Sequence, residues 1–333
     1  MKKFHGGLFF VCKREKICYN NRMQKDYGQK PNKKGLFGEL TSAQTSGLAY
    51  SLAALLPVAL SFAFMITVTL FRLTEKEGYT LSDWYLYCSY VLPQLGFALV
   101  AVWYLCRRNT SLTVAVKKQK CAPKYYFIAV TLQIGLLCLS ELNALFLELL
   151  GKFGYEDGGI SLPSMDGFGF FGVLLVVAVL PALFEEIIFR GVLLNGLHAF
   201  GVAGGALICG ALFSLYHQNP AQTLYQFCCG AAFALVAIRS RSILPTVLSH
   251  FINNAVILLL TKGNISSFPT PVFVVVMCVS VVCLVASLGY LIFIDKTQPA
   301  QKEKRDRKGF FVYALAGIAL CAFSWFLTLA GGM

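Results

Sequence analysis

Nine stretches of apolar residues, most of them as long as a helix that crosses a bilayer, decide what this chain can become. They run at about 47–71, 84–106, 125–150, 168–190, 198–217, 221–238, 243–260, 271–294 and 310–329. A helix needs about 20 apolar residues to cross the hydrocarbon core. In lipid the backbone must satisfy its own hydrogen bonds, which leaves helices or closed barrels. The runs are continuous rather than alternating, so they predict helices. Charged residues make up only 14% of the chain, against about 25% in a typical soluble domain. The expected fold is an all-α, polytopic transmembrane bundle of about eight to nine spans. Residues 1–45, polar and basic with no sustained apolar period, are expected to form a flexible cytosolic tail, and 46–333 the transmembrane domain. Leu8 to Cys12 is too short an apolar stretch for a signal peptide and is cut off by Lys13 and Arg14.

The net charge of +13 lies mostly outside the apolar runs. Arg107, Arg108, Lys117, Lys118, Lys120 and Lys124 follow the second run, Arg190 the fourth, Arg239 and Arg241 the sixth, and Lys296, Lys302, Lys304, Arg305, Arg307 and Lys308 the eighth. If nine spans alternate, these all fall on one side, and Glu75, Glu77, Glu156, Asp157 and Asp166 on the other. The positive-inside rule then puts the N-terminus in the cytoplasm and the C-terminus outside; in a bacterium the membrane would be the cell membrane. Membrane lipid is thus an expected partner. Nucleic acid is not, because no zinc-finger spacing and no interleaved basic and aromatic patch is present. The twelve cysteines form no CxxC and lie mostly within apolar runs, as small hydrophobes do. Gly201, Gly205 and Cys209 put small groups on one helix face, and Pro57, Pro93 and Pro181 are expected to kink their helices. Both read as packing features.

Charges inside a span cost about 2.5–3.5 kcal/mol on insertion scales. The fourth run nevertheless contains Glu185, Glu186 and Arg190. Glu186 and Arg190 are four residues apart and can pair, whereas Glu185 is turned by about 100°. Glu186 and Arg190 read as a structural pair, and Glu185 as an unpaired carboxylate whose burial would tune it for general acid–base work. Phe213 and His217 share a second face, and His250 and Asn254 a third. Two of the four histidines are in this set. A carboxylate and an imidazole can activate water, and an imidazole and an amide can donate to an oxyanion. Alternatively, Glu185, His217 and His250 would suit a zinc ion with an open water position.

These residues resemble the CAAX-protease and bacteriocin-processing family of membrane endopeptidases, whose motifs Glu-Glu-x-x-x-Arg, Phe-x-x-x-His and His-x-x-x-Asn occur in that order. Here they are Glu185-Glu186-Ile-Ile-Phe-Arg190, Phe213-Ser-Leu-Tyr-His217 and His250-Phe-Ile-Asn-Asn254, within about 168–260. The resemblance implies a catalytic cavity within the bilayer. Glu185 and His217 would activate water, His250 and Asn254 would hold the oxyanion, and Glu186, Arg190 and Phe213 would support them. It implies a glutamate-type endopeptidase without metal, with zinc as the alternative cofactor. Its substrate would be a prenylated CAAX-type tail, a peptide or a membrane protein. In bacteria the family is also associated with peptide maturation and bacteriocin self-immunity.

Two other readings compete. A non-catalytic scaffold or immunity protein of the same fold would tolerate loss of Glu185 or His217. A transporter would use the intramembrane Glu and His as a proton relay, and would draw attention to Glu141 and Glu148, but the chain lacks the paired discontinuous segments such folds show. One tension is internal to the sequence. Glu185 falls near one end of its run and His217 at the far end of the next, so two simple crossings would hold them apart.

Overall fold

The computed structural model describes residues 40–75, 77–108, 121–265, 267–297 and 306–332. Among these residues there is no strand. The helices are α1 (Ser42–Leu70), α2 (Asp83–Arg108), α3 (Lys124–Leu136), α4 (Leu139–Gly151), α5 (the helical run 169–200), α6 (Gly201–Tyr216), α7 (Thr223–Ser240), α8 (Leu244–Lys262), α9 (Thr270–Gly289) and α10 (Arg307–Gly331). Eight helical runs among the described residues are long and apolar enough to span a membrane; α3 with α4 forms one, and α5 with α6 a single run of 48 residues. This is an integral, multi-pass membrane protein with an all-helical fold. Of the tail expected over 1–45, residues 1–39 lie outside the described residues, as do Lys117, Lys118, Lys120, Lys302, Lys304 and Arg305.

Local chemistry sets the ends. Thr41 begins α1 with a capping box: its hydroxyl accepts from the Gln44 N–H at 3.2 Å, and the Gln44 amide oxygen accepts from the Thr41 N–H at 3.0 Å. α1 therefore starts five residues ahead of the apolar run that announced it. Asp306 caps α10 through the Gly309 N–H at 2.9 Å and also accepts from the Thr41 hydroxyl at 2.8 Å, which ties the two N-termini together.

Contacts give the directions. Phe64 on α1 meets Trp84 and Tyr85 at the start of α2, so these helices are antiparallel. α1 runs against α5 (Ser46 to the Val192 carbonyl, Tyr50 to Phe189) and alongside α10 (Ser51 to the Tyr313 carbonyl, and the Gly317 N–H to Ser51). α8 runs against α5 (His250 to Glu186, Asn254 to Val177) and alongside α3 (Ser249 to Ala129, Asn253 to Gln133). The outward-facing residues are large and apolar, such as Phe127 and Phe323, while alanines at 49, 53, 232, 234 and 237 are buried between helices. That inversion suits a lipid solvent, where small residues let helices approach.

The α5–α6 hairpin resolves the tension over Glu185 and His217. α5 does not end after Arg190: it continues through a π-helical stretch, Ile187–Leu193, and a tight turn, Leu197–Phe200. Gly201, at φ 76°, reverses the chain, a conformation that costs glycine nothing. α6 then retraces 16 residues, about 24 Å at 1.5 Å per residue. Glu185 lies about the same distance back along α5, so His217 returns to its level.

α6 and α7 approach closely. A Cβ on Gly210 would lie 2.7 Å from the Ala231 nitrogen and 2.8 Å from the Phe227 carbonyl oxygen. Gly210→Leu is expected to cost about 1–3 kcal/mol through overpacking, measured as a lowered thermal unfolding midpoint in detergent.

At the end where α3 begins and α9 stops, Asp295 accepts from the Thr297 N–H at 2.9 Å and the Tyr125 hydroxyl at 2.8 Å, with Lys124 Nζ at 3.7 Å. Burial pushes this carboxyl up, but the Thr297 and Tyr125 hydrogen bonds and the Lys124 charge outweigh it, so its pKa lies below the ordinary value. A carboxylate depressed on folding stabilises above its unfolded pKa, and that contribution fades as pH falls through it toward the folded value. Asp295→Asn is therefore expected to lower the unfolding midpoint at neutral pH. The gap to wild type should shrink as pH drops below about 4; a gap constant with pH would refute the linkage.

Candidate active site

The site begins with a carbonyl. Pro181 in α5 has no N–H, so it offers no helical hydrogen bond to the carbonyl four residues earlier, that of Val177. The Val177 carbonyl accepts instead from Asn254 Nδ2 on α8, at 3.0 Å. Pro181 thus does more than shape its helix: the donor it lacks leaves Val177 open to a site residue.

One turn further, Glu186 and Arg190 are both fully buried. Arg190 Nη1 donates to Glu186 Oε1 at 2.7 Å and Nη2 to the Gly230 carbonyl at 3.3 Å. Its guanidinium lies 4.3 Å from the Phe213 ring centre and 5.4 Å from that of Phe233, a cation–π arrangement suited to Arg away from water. Glu186 Oε1 also lies 3.0 Å from His250 Nδ1. The pair expected from the spacing is present, and it extends to a third member.

Phe213 connects the motifs. Its ring packs edge-on to Phe189 at 5.0 Å and His217 at 4.7 Å, and lies 6.2 Å from His250. Its carbonyl oxygen is 2.8 Å from His217 Nδ1. A carbonyl only accepts, so Nδ1 carries the proton and Nε2 keeps a lone pair when the ring is neutral.

The same logic applies to His250. Glu186, already paired with Arg190, accepts from Nδ1, which leaves Nε2 at 3.9 Å from Glu185 Oε2. That separation exceeds a hydrogen bond. Glu185 is 8% exposed, and its Oε2 is buried without a donor. The two adjacent glutamates thus differ: Glu186 meets Arg190 and His250 through Oε1 and has Oε2 without a donor, whereas Glu185 faces His250 Nε2 at 3.9 Å and also has Oε2 without a donor.

Glu185, His217, His250 and Asn254 all line one cavity of about 1210 Å³. It is bounded by α1 (Pro57, Phe62), α2 (Tyr90, Gln94), α5, α8 (Ile257, Thr261) and the 160–162 loop. Two imidazole nitrogens and a carboxylate are uncommitted there, the donor types zinc would use. Among the described residues, however, no three His, Cys, Asp or Glu side chains group as metal ligands do.

Sequence reasoning missed the residues that hold Asn254. Asn253 Nδ2 donates to Asn254 Oδ1 at 3.1 Å, and Asn253 Oδ1 accepts from Gln133 Nε2 at 2.8 Å and the Tyr225 hydroxyl at 2.9 Å. Ser249 adds a bond to Gln133 at 3.3 Å. The signal was available: Gln133, like Gln94, is an amide in the middle of an apolar run. Of the two acidic residues of the third run, Glu148 pairs with Lys152 at 3.4 Å on an exposed face, and Glu141 sits exposed in the first turn of α4, where a carboxylate suits the helix dipole.

The family model for type II CAAX prenyl endopeptidase Rce1-like proteins matches residues 167–256. This is a little over a quarter of the chain and takes in all three motifs and the cavity wall they form. No curated protein and no solved structure gives a significant match.

Proposed function

We propose, from the premise that residues 167–256 carry the core of a CAAX-type intramembrane protease family, that this protein is an endopeptidase. It hydrolyses a peptide bond of a membrane-associated or prenylated protein with water activated by Glu185 and His217. The observation that carries this reading is the uncommitted, buried Glu185 carboxylate beside two imidazoles in one cavity.

Glu185 and His217 Nε2 accept hydrogen bonds from the water and orient it, and Glu185 takes its proton as oxygen attacks the scissile carbonyl. The oxyanion is met by Asn254 Nδ2, which has a second N–H beyond the one given to Val177, and by His250. Because Nδ1 of His250 already donates to Glu186, Nε2 donates only in the imidazolium form. Glu186 Oε1 lies 3.0 Å from His250 Nδ1 and Glu185 Oε2 3.9 Å from its Nε2. Collapse breaks the C–N bond as Glu185 returns the proton to the leaving nitrogen, giving a carboxylic acid and an amine; the acid's remaining proton then passes to the amine, leaving a carboxylate and an ammonium. No step is routed through a metal. If zinc were bound, Glu185, His217 and His250 would hold it, and it would supply an acidified water.

The basic residues at the ends of α2 and α7, after α9 and at the starts of α3 and α10 fit a cytoplasmic face, which supports an N-terminus inside. The test is hydrolysis of a fluorogenic farnesylated CAAX peptide and a panel of membrane peptides by protein in liposomes, with and without chelator. Cleavage that His217→Ala abolishes and chelator leaves intact is the expected result. Chelator sensitivity would restore the zinc alternative, and cleavage unaffected by His217→Ala would remove His217 from the mechanism.

A further inference from the structure

The cavity holds more unsatisfied hydrogen-bonding capacity than the hydrolytic groups account for. Gln94 Oε1 on α2 and Asn143 Oδ1 on α4 are buried, like Glu185 Oε2, with no donor. All three belong to residues lining this one cavity, and all three atoms are acceptors. The Asn143 amide is anchored at its other end, where Nδ2 donates to the Ala221 carbonyl at 3.1 Å. Gln94 is the more deeply enclosed, at 6% exposed.

Helix register puts Gln94 opposite the reacting centre. α2 and α5 run in the same direction, both antiparallel to α1. Phe97 on α2 packs against Phe189 on α5 at 6.2 Å and against Tyr216 on α6 at 5.0 Å. One turn back from Phe97 is Gln94, and one turn back from Phe189 is Glu185, so the two side chains share a level. A lipid chain carries no donor that could satisfy an amide oxygen there. An extended peptide presents N–H groups at regular intervals along its backbone.

We propose that Gln94 is a substrate-binding residue: its amide oxygen accepts the main-chain N–H of a residue adjoining the scissile bond and fixes the peptide across Glu185. The assignment rests on the protease reading and adds to it a substrate-positioning contact from outside the three motifs. It makes Gln94 a reader of main chain rather than of side chain or lipid, so its effect is the same for every peptide sequence cleaved.

The experiment uses the full chain in nanodiscs, the fluorogenic farnesylated CAAX peptide, and a series of depsipeptides in which one N–H at a time is replaced by an ester oxygen. Gln94→Met, close to isosteric, is expected to lower kcat/KM about 10- to 100-fold. Its thermal unfolding midpoint should be unchanged or higher, because an unpartnered buried amide has been removed. In wild type, one ester position should show a similar loss, and at that position Gln94→Met should lose nothing further. Wild-type kcat/KM in Gln94→Met overturns the proposal. So does a lowered midpoint with ester losses that simply multiply, which would make Gln94 a packing or water-binding residue. If wild type cleaves none of the peptides, both readings fall. If wild type cleaves, and Glu185→Gln abolishes cleavage while Gln94→Met keeps wild-type kcat/KM, only the Gln94 assignment falls.

Discussion

Glu185→Gln is expected to abolish peptide hydrolysis, by a factor of about 10³ or more, without disturbing the fold. The amide has the same shape as the carboxylate but can neither take a proton from water nor return it, and positioned acid–base groups typically supply about 10²–10⁴. The structural cost should be small because Glu185 Oε2 has no donor to lose. The measurement is single-turnover cleavage together with the thermal unfolding midpoint. Loss of cleavage at an unchanged midpoint fits the proposed role. Retained cleavage would end it, and equal loss of stability and activity would recast Glu185 as a structural residue.

Arg190→Met should have the largest effect on stability, about 3–5 kcal/mol. Glu186 would stay fully buried with its charge answered by His250 alone, and the cation–π stack on Phe213 would be lost. Replacing both partners should be milder than replacing one, since a buried pair exchanged for neutral groups leaves no stranded charge. Arg190→Met/Glu186→Gln is therefore expected to recover part of the lost midpoint. If the double substitution is no more stable than Arg190→Met, the pair is not what holds this part of α5.

How far the sequence could be read depended on the kind of residue. The charges of α5 were legible because lipid penalises them, and a 100° step separated the paired Glu186 from the free Glu185. The depth of His217 was not legible. It depends on α5 continuing past Arg190 to Phe200 before Gly201 reverses it, and an apolar run does not announce where it turns inside a membrane. Pro181 was read as a kink; its consequence lay four residues upstream, in a carbonyl whose partner is on another helix. Gln133 and Gln94 escaped notice, and Asn253 was set aside as turned about 100° from Asn254, because the reading followed charge and a neutral amide carries none. Its importance shows only once neighbouring helices reveal whether it has a partner.

The turn at Gly201 makes the proposed centre a matter of counting. Glu185 and His217 are neighbours because the outgoing and returning arms of one hairpin are about equally long. Each residue added to a single arm would slide one group past the other by about 1.5 Å and rotate it by about 100°. Length changes between positions 185 and 217 are then tolerable only as matched additions on both arms. The hairpin acts as a caliper, and its setting is written in residue number rather than in residue type.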